Sequence, residues 1–270
     1  MKKLKVGIIG CGTIGADIAK ACQERMPDKV SLIGVCDLDK DKTIILQKAL
    51  KTKVPILKID DLIKKSDLVV EAASAKMSAG ILKKVINNKK SVLIMSIGGL
   101  VGSEDLLKKC EKEGVNVYLP SGALCGIDGL KSASVGRIDS VTLTTRKPIK
   151  GLSGAPYLKE RNINIWGIKE ETIIFDGNAA DAVKGFPQNV NVCAILSLAG
   201  LGAKKTRVKI ITSPSYTKNT HEVEIEGEFG RIITRTENVP SKTNPKTSQL
   251  AAFSAIATLE GVANSVRVGT

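Results

Sequence analysis

The feature that most constrains this chain is a glycine motif that follows an apolar run almost at its start. Residues 6–9 read V-G-I-I, and the next six residues place glycines at Gly10, Gly12 and Gly15. This spacing predicts a buried strand that turns sharply into a helix at Thr13. Gly10 suits the tight turn, Gly12 lets a pyrophosphate approach the backbone, and Gly15 lets the helix pack closely on the strand. The predicted cofactor contacts of this turn are Gly10, Gly12, Thr13, Ile14 and Gly15.

A second strand and an acidic residue support a dinucleotide-binding turn over another kind of phosphate loop. Residues 30–36 form an apolar run that ends at Asp37, close to the usual spacing of about 20 residues after the motif. A carboxylate at this point binds the adenosine ribose hydroxyls and disfavours the extra phosphate of NADP, so NAD is the first choice. Lys40 and Lys42 lie near enough in sequence to accommodate that phosphate, which leaves NADP as the alternative.

Strands and helices alternate up to about residue 120. Apolar runs predict further strands at residues 68–72, 91–97 and 115–119, and amphipathic segments predict helices at 79–87 and 103–113. This alternation indicates an α/β domain with a Rossmann-type, doubly wound parallel sheet, whose ligands bind at the carboxyl ends of the strands. We therefore expect Ala73 and Ser74, which follow the third strand, to contact the cofactor.

The pattern changes after about residue 120 and indicates an α+β domain with a mainly antiparallel sheet. Strands are predicted at residues 140–145, 172–175, 208–212, 222–226 and 231–236, and helices at 178–184 and from about 187. Residues 247–264 predict a long helix of small residues. We predict a dinucleotide-binding domain at 1–120, a substrate and catalytic domain at 121–244, and a C-terminal helix at 245–270 that returns to the first domain.

Composition restricts the classes of partner. The net charge of +14, from 41 basic against 27 acidic residues, raises nucleic acid as a partner. The lysines are scattered over predicted helix faces, however, and aromatic residues make up only 3% of the chain, which leaves little for base stacking. No run approaches the roughly 20 apolar residues that span a bilayer, and the N-terminus lacks a signal-peptide pattern. We expect a cytoplasmic protein that binds neither nucleic acid nor membrane.

The cysteines and the histidine limit the chemistry. The six cysteines are widely spaced and form no Cys-x-x-Cys pair, so we predict neither a metal site nor a disulfide framework. The only histidine, His221, lies at the start of a predicted strand. Its ordinary pKa is near neutrality, where an acid–base group works best, although a lone histidine is more often structural. The pattern leaves both roles open.

Five blocks of sequence resemble the L-aspartate dehydrogenase family. They are Pro120-Ser-Gly-Ala123 with Gly126-x-Asp128, Thr145-x-Lys147-Pro148, Phe175-x-Gly177 with Phe186-Pro-x-Asn189-x-Asn191-Val192, Asn219-x-His221, and Glu237-Asn238-x-Pro240-Ser241-x-x-Asn244-Pro-Lys-Thr-Ser248. Together with the glycine turn they span nearly the whole chain in the family's order. The combination is far more specific than any one block.

The resemblance implies an enzyme that oxidises L-aspartate with NAD or NADP. It implies that Ala123 and Asn189 contact the nicotinamide half of the cofactor and that His221 is the catalytic residue. From its position at a helix start, Asn189 also fits a helix cap. Ser121, which leaves a strand end beside the expected nicotinamide, and Asn219 are predicted to contact substrate.

Lys147 is the predicted ligand of a substrate carboxylate. It precedes Pro148 at the end of a predicted strand within a matched block, where it would act as a point charge. The alternative, in a chain with this many lysines, is a solvated surface side chain.

The resemblance also implies a product and a pathway. The product is iminoaspartate, which water converts to oxaloacetate and ammonia, and which would supply quinolinate synthase in NAD biosynthesis. A homodimer is expected. Two alternatives remain: another small-substrate dehydrogenase or reductase of similar architecture, such as one acting on homoserine or dihydrodipicolinate, and a non-catalytic NAD-binding redox sensor.

Overall fold

The chain folds as two compact units. The computed structural model describes residues 2–187, 191–241 and 247–269. The first unit contains Met1–Pro120 together with Ala251–Arg267, and the second contains Ser121–Leu250 together with Val268–Thr270. The C-terminal helix therefore contributes most of its length to the first unit.

The first unit is built on a parallel sheet of five strands. Its elements are β1 (Leu4–Ile9), α1 (Thr13–Glu24), β2 (Val30–Cys36), α2 (Lys40–Ala49), α3 (Ile59–Lys65), β3 (Leu68–Glu71), α4 (Ala75–Asn87), β4 (Ser91–Ile94), α5 (Glu104–Glu113) and β5 (Val117–Tyr118). The strand order is β2-β1-β3-β4-β5, and every neighbouring pair is parallel. This confirms the predicted doubly wound sheet. The order reverses between β1 and β3, and ligands of such sheets bind outside the carboxyl ends of the strands at this point.

Apolar side chains from the sheet and from both ends of the chain form the core of the first unit. Val6 and Ile8 of β1 and Ile18 of α1 are fully buried in one cluster. The C-terminal helix α11 (Gln249–Ala263) adds Ala255 and Leu259 to the same cluster. These two residues are one helical turn apart, so they lie on one face of the helix.

Several elements of the first unit differ from the prediction. The structure adds α2 and α3, and α4 begins at Ala75 rather than at residue 79. The strand predicted over residues 91–97 ends at Ile94, because the Ser96 N–H donates to the Glu71 carboxylate (3.0 Å) instead of extending the ladder. The chain then forms a 3-10 turn over Ile97–Leu100.

The second unit is a mixed sheet of five strands with helices. Its elements are α6 (Ile127–Ala133), β6 (Ile138–Pro148), α7 (Ile149–Leu152), α8 (Pro156–Glu160), β7 (Thr172–Asn178), α9 (Ala179–Gly185), α10 (Asn191–Ala199), β8 (Arg207–Ser213), β9 (Asn219–Gly227) and β10 (Gly230–Asn238). The strand order is β10-β9-β6-β8-β7. Only β6 and β8 pair in parallel, so the mainly antiparallel sheet is confirmed.

Alternation along two central strands places chemically active side chains on the buried face of this sheet. Val141, Leu143, Thr145 and Lys147 of β6 are buried, whereas the residues between them are partly exposed. His221, Val223 and Ile225 repeat this pattern on β9. Side chains two residues apart on a strand share one face of the sheet. Thr145, Lys147 and His221 therefore lie among the apolar residues of this face.

Two further observations concern membrane-spanning helices and the cysteine thiols. Among the described helices, none combines the length and the apolar character that a bilayer crossing requires. The six cysteines are free thiols: Cys36 is half-buried, Cys125 is exposed and the other four are buried.

Candidate active site

The glycine turn after β1 is shaped by two close backbone approaches. Gly10 has a φ of +100°, in the left-handed region that favours glycine, and a Cβ there would lie 2.4 Å from the Ala72 carbonyl oxygen. A Cβ at Gly15 would lie 1.9 Å from the Gly10 carbonyl oxygen. At Gly12, by contrast, a Cβ would meet no atom of the described residues within 4 Å. The turn therefore packs tightly on both sides of an open space.

The start of α1 leaves its positive end facing this open space. Gly12 occupies the N-cap position and has no side chain with which to cap the helix, and the first turn begins with Thr13 and Ile14 and contains no acidic residue. The α1 side chains therefore do not neutralise the partial positive charge of the helix start, which attracts anions. The open space and this charge together fit the pyrophosphate of a dinucleotide.

Asp37 links the end of β2 to the glycine turn. One carboxylate oxygen accepts a hydrogen bond from the Cys11 N–H (2.6 Å), and the other accepts from the Asp39 N–H (2.8 Å). A carboxylate offers about four acceptor positions, so two remain for ribose hydroxyls. The Gly10 N–H also donates to the Cys36 carbonyl (2.8 Å), which holds the turn beside the end of β2.

Glu71 is a buried residue of this region that the sequence analysis missed. It is the last residue of β3 and 0% exposed, and its carboxylate accepts from the Ala73 N–H (2.9 Å), the Ser96 N–H (3.0 Å) and the Ser96 hydroxyl (2.9 Å). Burial raises the pKa of Glu71, and these hydrogen bonds oppose that rise. Glu71 thereby holds the main chain that leads into Ser74, at the N-cap of α4. The sequence signal that could have identified Glu71 is its place as an acidic residue inside an apolar run.

In the second unit, His221 lies within the buried face of β9. Its side chain is 4% exposed, and its Nδ1 lies 3.1 Å from the Thr145 hydroxyl on the neighbouring strand β6. Burial, and secondly the Lys147 charge, lowers the pKa of His221 to about 3. The expected pKa near neutrality is therefore wrong, because the ring is desolvated. The imidazole is neutral at neutral pH and able to accept a proton.

Lys147 is buried two residues farther along β6, on the same face as Thr145. It is 7% exposed, and burial lowers the pKa of its ammonium to about 8. The alternative of a solvated surface lysine is therefore wrong. A Cβ built at Gly151 would lie 3.9 Å from the Lys147 Cβ and 4.0 Å from the Asn219 Oδ1, so both residues border Gly151. The site thus holds a desolvated cation and a neutral imidazole on one face of the sheet.

The segment that contains Ser121 and Ala123 is fastened to β10. The Ala123 carbonyl accepts hydrogen bonds from the Thr236 hydroxyl (3.0 Å) and the Asn238 side-chain amide (3.1 Å), and the Ser121 carbonyl accepts from the Leu124 N–H (3.3 Å). The Thr236 hydroxyl also lies 3.4 Å from the His221 carbonyl oxygen. Ala123 is therefore linked to the main chain of the candidate base through one side chain.

Comparison with known proteins places the chain in a family. A protein-family model described as "Aspartate dehydrogenase, C-terminal" matches residues 128–262, and a second family model described as "Homoserine dehydrogenase, NAD binding domain" matches residues 10–120. The chain is 47% identical to an L-aspartate dehydrogenase of Methanosarcina mazei over 99% of this chain and 100% of the relative. This chain belongs to the L-aspartate dehydrogenase family. A relative from Methanococcus maripaludis with the same name is 41% identical, with the same coverage of both chains.

Solved structures agree with membership of the L-aspartate dehydrogenase family. The chain resembles a crystal structure of aspartate dehydrogenase from Thermotoga maritima with a TM-score of 0.76 and 25% identity, over 99% of this chain and 100% of that one. A homoserine dehydrogenase from Thiobacillus denitrificans has a TM-score of 0.62 at 14% identity, over 97% of this chain and 74% of that one, and this likeness concerns the fold alone. The predicted family resemblance is confirmed.

In this family member, the predicted site residues fall into one group in each unit. The first unit holds the predicted cofactor contacts at the carboxyl ends of its strands, namely Gly10, Gly12, Thr13, Ile14, Gly15, Asp37, Ala73 and Ser74. The second unit holds Ser121, Ala123, Lys147, Asn219 and His221. Asn189 lies outside the described residues. Within the described ranges, no group of three or more His, Cys, Asp or Glu side chains is placed to hold a metal ion.

Two alanine substitutions test the glycine turn. Gly12→Ala is expected to fold like the wild type and to lose at least about tenfold in dinucleotide affinity, because its Cβ enters the space left for the pyrophosphate. Gly15→Ala is expected to lower the free energy of unfolding by about 1–3 kcal/mol, because its Cβ overlaps the Gly10 carbonyl. Calorimetric titration with NAD and denaturant unfolding separate the two effects. Unchanged affinity in Gly12→Ala would contradict the assignment.

Proposed function

We propose that this protein catalyses the NAD(P)-dependent oxidation of L-aspartate to iminoaspartate, which water converts to oxaloacetate and ammonia. The observation that carries the proposal is the pairing of a buried, neutral His221 with a buried Lys147 cation in a member of the L-aspartate dehydrogenase family. One group is suited to accept a proton, and the other is suited to attract an anion. Aspartate supplies both an ammonium proton and two carboxylates.

Lys147 would hold a substrate carboxylate. With a pKa of about 8 it keeps its proton at neutral pH, although burial disfavours the charged form. A carboxylate that binds there replaces the water that the ammonium lost, and the attraction between the two charges is stronger than in bulk solvent. This gives the site a preference for anionic amino acids over neutral ones.

His221 would be the general base, for the substrate amine or for the attacking water. It is unprotonated at neutral pH, and the nearby Lys147 charge contributes to its low pKa. A carboxylate bound to Lys147 offsets that charge, so it raises the pKa of His221 and makes the ring a stronger base. Binding of an anionic substrate would thus prepare the base for proton transfer.

The first unit would hold the cofactor. The glycine turn and the start of α1 fit the pyrophosphate, and Asp37 has acceptor positions left for ribose hydroxyls. A bound nicotinamide would supply the hydride acceptor for the substrate Cα hydrogen, while the protein would orient the substrate and exclude water. The roles of Ala123 and Asn189 as nicotinamide contacts, and of Ser121 and Asn219 as substrate contacts, stay predictions.

Asp37 is expected to select NAD over NADP. In Asp37→Ser, the ratio of kcat/KM for NAD to that for NADP should fall by about tenfold or more, because a charge-assisted hydrogen bond and the repulsion of a phosphate are both lost. Asp41→Ser, which removes an exposed carboxylate from the first turn of α2, is the matched control and should leave the ratio unchanged. An unchanged ratio in Asp37→Ser would reject the assignment.

A panel of amino acids tests the proposed reaction. The purified protein is mixed with NAD or NADP and with L-aspartate, L-glutamate, L-asparagine or L-homoserine, and the reduced nicotinamide is followed by its absorbance. We expect reduction with L-aspartate well above that with the other substrates. Reduction with L-homoserine instead would support the dehydrogenase alternative. Tight NAD binding without reduction by any substrate would support the redox sensor.

The wider role rests on the same proposal. Iminoaspartate would supply quinolinate synthase in NAD biosynthesis, in the cytoplasm, and the enzyme would act as a homodimer. Family membership supports the aspartate oxidation on which this role depends. Quinolinate formation in a coupled assay with quinolinate synthase tests the supply of iminoaspartate. Light scattering of the protein as it elutes from a size-exclusion column tests the homodimer. Failure of the coupled assay alongside active aspartate oxidation would reject the pathway and leave the reaction standing.

A further inference from the structure

We infer that Thr145 is a positioning residue that holds the His221 ring in the tautomer whose Nε2 is free to accept a proton. The inference rests on the proposed function, because it concerns the base of that reaction. It assigns a role to a buried hydroxyl that the sequence analysis named only as part of a matched block. The geometry of two paired strands carries it.

The contact between Thr145 and His221 is fixed by the sheet. The two residues are direct partners in the antiparallel register of β6 and β9, and both side chains lie on the buried face. The Thr145 hydroxyl lies 3.1 Å from Nδ1 of the ring. Directly paired residues of neighbouring strands have closely spaced Cβ atoms, and a β-branched side chain has few rotamers. The hydroxyl is therefore held in place opposite this one ring nitrogen.

The tautomer of the ring decides which nitrogen is left for catalysis. A neutral imidazole has one N–H and one acceptor nitrogen. If the Nδ1–H donates to the Thr145 hydroxyl oxygen, Nε2 keeps its lone pair and accepts the proton. The Nδ1–H bond persists after that transfer, so the same oxygen serves both protonation states. Among the described residues, Nε2 has no hydrogen-bond partner, which leaves it available to the substrate.

On β6 and β10, the two strands that flank β9, no other described side chain has a recorded hydrogen bond to the ring. Lys147, from β6, is the charged side chain that acts on His221, and it has no acceptor once protonated. The β10 residues on this face, Thr234, Thr236 and Asn238, carry no ionisable group, and Thr236 and Asn238 are bonded to Ala123. The Thr145 hydroxyl is thus the described side chain that is placed at Nδ1, where it can hold one tautomer of the ring.

The single histidine of the chain allows a direct spectroscopic test. Because His221 is the only histidine, ¹⁵N labelling of histidine yields one imidazole, and its two nitrogen shifts report which one carries the proton. We expect the Nδ1–H form in the wild type and a shift toward the Nε2–H form in Thr145→Val. Thr145→Ser should restore the wild-type pattern. An Nε2–H ring in the wild type, or an unchanged ring in Thr145→Val, would overturn the inference.

Kinetics provide the second readout. Thr145→Val is expected to lower kcat for aspartate oxidation by about tenfold, the size of one lost neutral hydrogen bond, with the aspartate KM and the NAD affinity within about twofold of the wild type. Thr144→Val makes the same chemical change one residue away, on the opposite face of β6, and should match the wild type. A wild-type kcat in Thr145→Val would count against the inference.

A double substitution separates this inference from the proposed function. In a His221→Ala background, Thr145→Val should cause no further loss of kcat, because the hydroxyl acts only through the ring. A further tenfold loss in that background would overturn the inference. If His221→Ala alone stays fully active, the proposed base is wrong. If His221→Ala is slow but Thr145→Val retains both the wild-type tautomer and the wild-type kcat, only the role of Thr145 fails.

Discussion

Replacing His221 with alanine is expected to lower kcat for aspartate oxidation by about 10²–10⁴-fold, the range for loss of a general base. The NAD affinity should stay at the wild-type value, because the glycine turn and Asp37 belong to the other unit. His221→Asn is a second test: it keeps part of the hydrogen bonding but not the proton transfer, so it should also be slow. Steady-state kinetics at saturating aspartate, together with calorimetric titration of NAD, check both points. If His221→Ala keeps more than about half of the wild-type kcat, outside the general-base range, the histidine is structural.

The same substitution has a signature in stability. The folded pKa of His221, about 3, lies below its ordinary value of 6.5, so the unfolded chain binds more protons between these two pH values. The free energy of unfolding therefore falls as the pH drops from 6.5 toward 3, and at pH 5 the loss is about 2 kcal/mol. His221→Ala removes this contribution. Denaturant unfolding of both proteins at pH 7 and pH 5 should show a smaller fall in the free energy of unfolding for the variant.

Replacing Lys147 with methionine is expected to weaken aspartate binding and to stabilise the fold. The aspartate KM should rise at least about 30-fold, because a desolvated charge partner of the substrate carboxylate is lost. The folded pKa of about 8 lies below the ordinary 10.5, so burial of the charged ammonium costs about 3 kcal/mol at neutral pH. Methionine fills a similar volume without that cost. Lys150→Met, on the exposed side of α7, is the matched control and should change neither quantity.

The pH dependence of the wild type provides a further check on Lys147. Above a pH of about 8 the ammonium loses its proton, so kcat/KM for aspartate should fall there, and this limb should be absent in Lys147→Met. The assignment is wrong if the variant loses NAD affinity while its aspartate KM stays unchanged. The lowered pKa of the Lys147 ammonium is contradicted if the variant unfolds more easily than the wild type at pH 7.

Local pattern predicted most of the cofactor-binding unit. The apolar run over Val30–Cys36 matches β2 residue for residue, because a continuous apolar segment between turn signals is typical of a strand in a parallel sheet. The strand that follows Lys90 was predicted three residues too long, because the Glu71 carboxylate captures the Ser96 N–H across the sheet. The helix α2 was missed because it keeps Ile44 and Ile45 exposed and so lacks a clear apolar face.

The chemistry of the second unit depends on pairing that a sequence pattern does not contain. Alternation along β6 is enough to place Thr145 and Lys147 on one face. The partner of Thr145 across the sheet, however, depends on the register of β6 against β9, which joins residues far apart in the chain. The burial of His221, and with it the low pKa, follows from that register. The residue itself was identified because it is the only histidine and because of the family resemblance.

Transfer of isotope from substrate to cofactor tests the central claim most directly. The protein is incubated with NAD and L-aspartate that carries deuterium on Cα, and the reduced cofactor is analysed by mass spectrometry. The proposed reaction predicts one deuterium per reduced nicotinamide, because the Cα hydrogen leaves as the hydride. A reduced cofactor without deuterium, or no reduction with aspartate under conditions where NAD is bound, would contradict the proposal that this chain oxidises L-aspartate.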